Sequence, residues 1–326
     1  MSTSRTRRPL VALTVTASAS LVLAGCGGSA SSSETASAGG PTEASEVTVT
    51  HAQGESTVPL APQRVVVLDM GALDTLDAIG AGDSVVGVPK TSVPTFLDQY
   101  AGPDVADVGT LFEPDYEAIN ELDPDLVIVG FRSAEAYGEL SEHWDVIDTS
   151  FASTDFLAGL AESAGMLGEV FDASEEVEAA LAEIDEQTEE ISALAADAGD
   201  AMVLSTSGGE VTSYGADSRF GPIFTELGMT EATTDVEAAP HGEAISFELI
   251  REINPDWMFV NDRDAVVSDG AGAAAEQILD NELVASTSAW AQDQVVYLDP
   301  ERWYIVMHGL DNVHAMFAEV GDALAR

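Results

Sequence analysis

The sequence predicts an α/β protein made of two similar lobes joined by one long helix. Three observations indicate this architecture: strand-like apolar runs alternate with helical periodicity, a ten-residue motif occurs twice, and a long stretch without Gly or Pro separates the two copies. We therefore expect an N-terminal α/β lobe at residues 46–170, a connecting helix at 171–198 and a C-terminal α/β lobe at 199–326.

The first residues have the pattern of an export signal. Residues 1–25 combine three arginines with an apolar segment rich in small residues, and Leu23-Ala24-Gly25-Cys26 resembles a bacterial lipobox, in which the cysteine is lipidated. Cys26 is the only cysteine, so no intramolecular disulfide is expected. The alternative is a signal peptide with an incidental cysteine. Residues 26–45 are rich in Gly, Ser and Ala and predict a flexible tether.

Strands and helices alternate through both lobes. In the first lobe, residues 64–69 and 126–129 are apolar runs typical of buried strands, and residues 71–80 follow as a helix. In the second lobe, residues 201–204 and 210–214 predict strands, and a closing helix begins at about Leu310. This order predicts mainly parallel sheets.

The repeated motif supports two lobes of similar fold. YEAINELDPD at 116–125 aligns without gaps on FELIREINPD at 247–256. In each copy the Pro ends a helix, the preceding Asp or Asn makes the turn, and an apolar strand follows. One copy lies on each side of the connecting helix.

The connecting helix is predicted from residues 174–197. Its large apolar residues recur at spacings of three, four or seven and give one narrow stripe between acidic residues. The alternative is an ordinary surface helix of a single domain. The residues predicted to be buried are Val177, Leu181, Ile184, Ile191 and Leu194.

The charge of the chain disfavours polyanionic partners. The formal net charge is −47, and loss of residues 1–25 would remove three arginines and no acidic residue, leaving 8 basic against 58 acidic residues, or −50. Such a field repels nucleic acids and anionic membranes, so a polyanionic partner is disfavoured unless a few arginines are focused locally. The remaining cations are Arg64, Lys90, Arg132, Arg219, Arg251, Arg263, Arg302 and Arg326.

The motifs favour a binding protein over an enzyme. The sequence has no Gly-x-Ser-x-Gly elbow and no phosphate-binding Gly-x-x-x-x-Gly-Lys loop, and its glycines miss the dinucleotide spacing. In α/β lobes, ligands usually bind near the strand ends, in the cleft between lobes. The loop residues that follow predicted strands, or precede a glycine in a loop, and that could bind an anion are Arg132, Arg219, His241, Arg263 and Tyr304.

His241 and Tyr304 could also contact a metal. Imidazole and phenolate both bind Fe(III), and these two side chains could complete the coordination of an iron ion held by a tetradentate ligand. The other histidines, among them His308 and His314, are interpreted as structural or surface residues.

Several motifs together resemble one family, the lipoprotein substrate-binding components of bacterial iron–siderophore ABC transporters. The similarity is greatest to the group that binds ferric catecholate siderophores such as petrobactin. It runs from about residue 46 to the C-terminus and is carried by VLDMGALDTL at 67–76, VVGVPK at 85–90, EPDYE at 113–117, SRFG at 218–221, HGEAIS at 241–246, NPD at 254–256 and WY at 303–304.

The resemblance implies two Rossmann-like lobes with a helical backbone, no enzymatic activity and no intrinsic cofactor. It implies that Arg132, Arg219 and Arg263 neutralise the catecholate, and that His241 and Tyr304 close the iron coordination. The protein would be a monomer, lipid-anchored through Cys26 at the outer face of the cytoplasmic membrane.

The resemblance also implies a partner, an ABC permease dimer. Glutamates on the two lobes of related proteins dock on the permease, and the matching positions are Glu117 and Glu248. Two departures from the family pattern concern the cleft: residues 305–309 replace a glycine-rich stretch after Tyr304, and Phe131 separates Gly130 from Arg132.

Other functions are compatible with the same architecture. A haem- or cobalamin-binding protein would use His241 or Tyr304 as an axial ligand without needing three arginines. A metal-dependent hydrolase would need a His/Asp/Glu cluster, and a purely structural lipoprotein would leave the arginines unexplained. Because residues 174–197 contain no Gly or Pro, we also expect little lobe movement on binding.

Overall fold

The computed structural model describes residues 45–232, 242–267 and 274–326. The described chain begins with an antiparallel hairpin of β1 (Glu46–His51) and β2 (Gly54–Pro59). The hairpin packs beside the first lobe, where Ser56 Oγ donates a hydrogen bond to the carbonyl of Val146 at 3.3 Å. No helix in these described ranges is both long and apolar enough to cross a membrane.

The first lobe contains a five-stranded parallel sheet with the strand order β5-β4-β3-β6-β7. The two central strands are formed by the apolar runs at residues 64–69 and 126–129 and are completely buried. The strands are β3 (Val65–Val67), β4 (Val85–Val88), β5 (Ala106–Asp107), β6 (Leu126–Val129) and β7 (Val146–Asp148), and the helices are α1 (Met70–Ala78), α2 (Tyr116–Leu122), α3 (Tyr137–Leu140) and α4 (Phe156–Phe171).

The long helix α5 (Ser174–Ala195) follows α4 and matches the predicted connecting helix closely. Val177, Ile184 and Ile191 are buried as predicted, and Leu181 is partly buried against the same core. Leu194 was expected in the stripe but is 43 % exposed, and Ala195 is buried in its place. The helix turns by about 100° per residue, so the buried face moves to Ala195 in the last turn.

The second lobe contains a mixed sheet, with strand order β11-β9-β8-β12-β13 and β10 paired to the start of β8. Its strands are β8 (Asp200–Ser207), β9 (Glu210–Tyr214), β10 (Thr230–Glu231), β11 (Glu243–Ala244), β12 (Trp257–Asp262) and β13 (Val295–Leu298). Its helices are α6 (Pro222–Thr225), α7 (Phe247–Ile253), α8 (Asp264–Val267), α9 (Ala275–Leu279), α10 (Ser288–Ala291) and α11 (Leu310–Leu324).

The expectation of mainly parallel pairing is confirmed for the first sheet and needs correction for one side of the second. Strands β8 and β9 pair antiparallel, as do β9 and β11. Gly208 and Gly209, with φ of 59° and 82°, make a two-residue hairpin turn between β8 and β9. The parallel pairs β8–β12 and β12–β13 build the other side.

The repeated motif forms the same structure twice. Helix α2 ends at Asp123 and helix α7 at Asn254, and both residues adopt left-handed backbone with φ of 45° and 54°. Asp and Asn tolerate this conformation better than most residues, and the proline that follows cannot continue the helix. Each copy then leads into a buried strand, β6 or β12, as predicted.

The two halves of the described chain share one continuous apolar core. Helix α11 crosses back to contact α5 and α1, and side chains of α5, α4 and α11 belong to the same buried cluster. Polar contacts tie the halves as well. Glu301 Oε2 accepts hydrogen bonds from the backbone N–H of Thr95 at 2.9 Å and from its hydroxyl at 2.5 Å. The limits 46–170 and 199–326 for the lobes stay predictions.

Candidate functional site

Each of the described candidate residues lies just beyond a strand. Arg132 follows β6, Arg219 follows β9, Arg263 follows β12 directly, and Tyr304 lies beyond β13 in a π-helical turn, Glu301–Val306. The carboxyl ends of parallel strands meet at one edge of a sheet, so loops after them come together. This rule covers Arg132, Arg263 and Tyr304, whereas Arg219 follows the antiparallel strand β9; the four side chains nevertheless come together.

The three arginines surround the ring of Tyr304. Their guanidinium carbons lie 5.7 Å (Arg132), 4.9 Å (Arg219) and 5.6 Å (Arg263) from the ring centre. These distances are within the range of cation–π attraction. Arg263 Nε also donates a hydrogen bond to the Tyr304 hydroxyl at 2.8 Å. The structure thus brings together four of the five residues expected to bind the ligand.

Arg132 reaches across the cleft from the first lobe. Its guanidinium donates hydrogen bonds to the backbone carbonyl of Ile305, at 2.8 Å, and to that of Tyr304. Phe131, the residue inserted between Gly130 and Arg132, has a φ of 47° and so turns the chain sharply at this point. The insertion therefore does not keep Arg132 out of the cleft.

Electrostatics at the cluster favour an added negative charge. Burial lowers the pKa of Arg132 from its usual value, and the charge of Arg219 lowers it further. The carboxylate of Asp69 opposes this effect on Arg132, and Asp264 acts in the same direction on Arg263. A partly buried cation beside a like charge is stabilised by a bound anion.

The hydrogen bond with Tyr304 has the opposite effect on Arg263. It is the largest cause of a pKa above the usual value for this guanidinium, so Arg263 keeps its proton firmly. Arg263 also donates to Ser207 Oγ at 2.9 Å, which fixes the direction of the side chain. The arginine is thus held in place before any ligand binds.

A cavity of about 540 Å³ opens beside the cluster. Arg132, Arg263 and Tyr304 line it from one side, and a loop of the first lobe, residues 91–94, lines it from the other. Phe112, 73 % exposed, also contributes to the wall. This volume falls within the range of small-molecule sites.

The metal-binding expectation is not tested by the described residues. His241 lies outside them, so only Tyr304 of the expected iron-binding pair is seen. In the part of the chain that the structure describes, no group of three His, Cys, Asp or Glu residues could hold a metal ion. Direct contact of His241 and Tyr304 with iron stays a prediction.

The expected docking residues are exposed and occupy equivalent positions. Glu117 lies in the first turn of α2, and Glu248 lies in the first turn of α7. Neither glutamate lines the cleft cavity described above. Their role in docking on a permease stays a prediction. The lipidation site Cys26 lies outside the described residues.

His308 has a structural role, one of the two that the sequence suggested, but its contact with Asp69 was not predicted. The histidine precedes α11, is buried, and places Nε2 2.9 Å from Oδ1 of Asp69. That oxygen also accepts the N–H of Ala72 at 2.8 Å and caps α1. Burial alone would raise the pKa of Asp69, but His308 and the Ala72 N–H outweigh it, and this pKa is below its usual value.

Gly71 explains how His308 fits. A Cβ at this position would lie 2.3 Å from the His308 ring, so only glycine leaves room. The sequence Asp69-Met70-Gly71 could have indicated this contact. It places a carboxylate two residues from a glycine, which leaves space for a neighbouring ring. Gly71 therefore makes room for His308, which lies in the stretch 305–309 that departs from the family pattern.

Two α/β lobes around a cleft with three clustered arginines are typical of a solute-binding protein, and the ligand that suits such a cleft is an anion. The chain belongs to the periplasmic binding protein family, whose profile matches residues 65–302. The family and the relatives below are substrate-binding proteins and not enzymes.

Individual relatives are similar along most of the chain. The petrobactin-binding protein YclQ of Bacillus subtilis is 33 % identical over 309 residues, covering 94 % of this chain and 96 % of the relative. Its crystal structure superposes with a TM-score of 0.83, over 86 % of this chain and 99 % of that one. The ferric-anguibactin-binding protein FatB of Vibrio anguillarum is 32 % identical, covering 84 % of this chain and 86 % of the relative.

A third relative is the periplasmic catecholate-siderophore binding protein VctP of Vibrio cholerae. Its crystal structure is 35 % identical to this chain, with a TM-score of 0.79, and the match covers 85 % of this chain and 99 % of that one. The fold predicted from the sequence is confirmed by these neighbours.

Proposed function

We propose that this protein captures a ferric catecholate siderophore in the cleft and delivers it to an ABC permease for iron uptake. The observation that carries the proposal is the placement of three guanidinium groups around the ring of Tyr304. Ferric catecholates are polyanions with outward-facing oxygens, which guanidinium groups bind through charge-assisted hydrogen bonds.

The relatives support the same ligand class. YclQ is named for petrobactin and FatB for ferric anguibactin, while VctP is described as a catecholate-siderophore binding protein. A haem or cobalamin ligand is the competing possibility. It would need one axial side chain, whereas the cleft offers three cations near one phenol.

Ligand titration tests the binding step. Trp303 is buried next to Tyr304 and stacks on Phe220, so its fluorescence should fall when an iron complex enters the cleft. We expect quenching by a ferric catecholate at much lower concentration than by a ferric hydroxamate or by haem. Tight binding of the hydroxamate or of haem, without the catecholate, would overturn the ligand assignment.

Substitution of Arg219 tests the electrostatic argument. Loss of one charge-assisted hydrogen bond corresponds to about tenfold to a hundredfold weaker binding, so Arg219→Ala should raise Kd by that factor. The matched control is Arg251→Ala, because Arg251 is an exposed arginine of α7. Equal affinity of Arg219→Ala and the parent would favour a haem-type ligand.

Delivery to the permease is tested with charge reversals on the two repeat helices. We expect Glu117→Arg and Glu248→Arg to abolish iron uptake while leaving ligand binding unchanged. Glu121→Arg and Glu252→Arg, four residues further along the same exposed faces, are the controls. Uptake that survives the first pair, or is lost equally with the controls, would contradict docking at these positions.

Membrane attachment forms a separate part of the proposal. We expect Cys26→Ala to release the protein from the membrane fraction without changing its affinity for the ligand. Retention of the variant in the membrane fraction would contradict lipidation at Cys26.

A further inference from the structure

A second, smaller cavity adjoins the arginine-lined cleft. Its volume is about 230 Å³, and its walls come from both halves of the chain. The side chains that matter for the argument are Phe131, Phe151 and Phe156 in the first lobe and Arg219, Met307 and His308 in the second. We call this cavity the aromatic chamber.

The walls of the aromatic chamber are rings packed against one another. Phe131 and Phe151 meet edge to face with ring centres 5.1 Å apart, and Phe151 meets Phe156 in the same way at 5.8 Å. The ring of His308 lies 4.6 Å from that of Phe131. Rings that support one another keep the chamber open in a fixed shape, and they offer faces and edges for one more aromatic group.

Two residues of the chamber wall have unusual backbone. Phe131 has a φ of 47° and Met307 a φ of 68°, values at which a side chain other than glycine is strained. Strain of this kind persists where the surrounding structure enforces it, and it clusters at ligand-binding sites. The Phe131 N–H donates to Ser150 Oγ at 2.6 Å, which helps to hold the first of these turns.

The chamber and the arginine cluster meet at Met307. Its sulfur lies 3.6 Å from Nη2 of Arg132 and 3.9 Å from Nη1 of Arg219. Arg219 also lines the chamber while facing the Tyr304 ring. A single ligand can therefore place anionic oxygens at the arginines and extend an apolar group past Met307.

The size and charge of the chamber select the occupant. An apolar cavity of about 150 Å³ holds a benzene ring, so 230 Å³ accommodates one aromatic group with a short linker. The exposed carboxylate of Asp217 and the guanidinium of Arg219 both lie on the chamber wall, so their opposite charges give no net attraction for an anionic group there. An uncharged ring fits better than a second iron-binding unit.

We propose that the aromatic chamber is a subsite for a neutral aryl group that the siderophore carries in addition to its iron-binding oxygens. The inference rests on the proposed function, because the iron complex at the arginines brings the aryl group to the chamber. The protein then selects among ferric catecholates by the group attached beyond the chelating ring.

The test compares two ferric complexes with the same chelating unit. The probes are the Fe(III) complexes of N-methyl- and N-benzyl-2,3-dihydroxybenzamide, prepared at one ligand-to-iron ratio and titrated by fluorescence quenching. Burial of a phenyl ring corresponds to about tenfold to thirtyfold tighter binding, which is the preference expected for the benzyl complex. Equal affinities would overturn the inference.

A chamber-filling variant locates the preference. Ser153 lines the chamber, whereas the neighbouring Thr154 is exposed and does not. We expect Ser153→Leu to remove the benzyl preference and keep the affinity for the methyl complex, which also shows that the variant is folded. Thr154→Leu should keep both. A benzyl preference unchanged in Ser153→Leu would place the aryl group elsewhere and overturn the inference.

The failure of the inference and that of the proposed function give different results. Binding of both complexes with equal affinity would overturn the inference that the chamber binds an aryl group, and it would leave the proposal of catecholate capture intact. Binding of neither complex overturns the proposed catecholate function, and the inference falls with it.

Discussion

Asp74 should make the stability of this protein depend on pH in a direction unusual for an aspartate. Its carboxylate lies at the start of α11, where Oδ2 accepts the backbone N–H of Asn312 at 3.0 Å. Burial is the main cause that raises the pKa of Asp74 from 3.8 to about 7, and the Asn312 N–H opposes the rise only in part. The folded protein therefore holds a proton that the unfolded chain releases.

The sign and size follow from proton linkage. Between about pH 4 and pH 7 the folded state binds more protons at this site, so the free energy of unfolding falls as the pH rises through that window. A shift of about three pKa units corresponds to about 4 kcal/mol at most. The stabilisation is complete below the unfolded pKa and is lost by the time the pH passes about 7.

The substitution Asp74→Asn keeps an acceptor for the Asn312 N–H and removes the charge. We expect the variant to have nearly the parent's stability at about pH 4 and to gain up to about 4 kcal/mol over it at about pH 8. Urea denaturation followed by tryptophan fluorescence measures both free energies, and the exposed Asp98→Asn is the control. A difference between variant and parent that stays constant across this range would refute the reasoning.

Two further predictions concern packing and motion. Gly71→Ala should destabilise the protein by about 1–3 kcal/mol in thermal melts, because the added Cβ would overlap the His308 ring. The control is Gly165→Ala on α4, where an added Cβ would have no neighbouring atom within 4 Å; this variant should be neutral or stabilising. Free and liganded crystal structures should differ by only a small lobe rotation, since α5 has no Gly or Pro and Glu301 holds Thr95 across the lobes. A large rotation would show that these ties do not limit the movement.

The fold was predictable because its signals are local. Apolar runs predicted the central strands. The repeated motif predicted two helix ends, where Asp123 and Asn254 adopt left-handed backbone conformation. The antiparallel side of the second sheet was missed, although Gly208-Gly209 between two strand-like runs was a usable hairpin signal. The prediction that Leu194 is buried was wrong for a different reason. Which residue of the last helical turn is buried depends on the elements that pack against that turn.

The site was only partly predictable. Position after a strand singled out the arginines and Tyr304 in the sequence, and the structure brings them together. The aromatic chamber could not be predicted from the sequence. Phe131, Phe151 and Phe156 come from three separate segments, and in the sequence they resemble ordinary core residues. The link between His308 and Asp69 joins residues far apart in sequence, which no local pattern reveals.

The three guanidinium groups around Tyr304 also affect how fast a ligand arrives and leaves. The chain as a whole is strongly acidic, with a net charge of −47, so an anionic complex meets repulsion at long range and attraction only once it is close to the cleft. Salt screens both interactions. Stopped-flow measurements should therefore show association and dissociation rate constants that rise together with ionic strength, leaving the affinity less sensitive to salt than either rate.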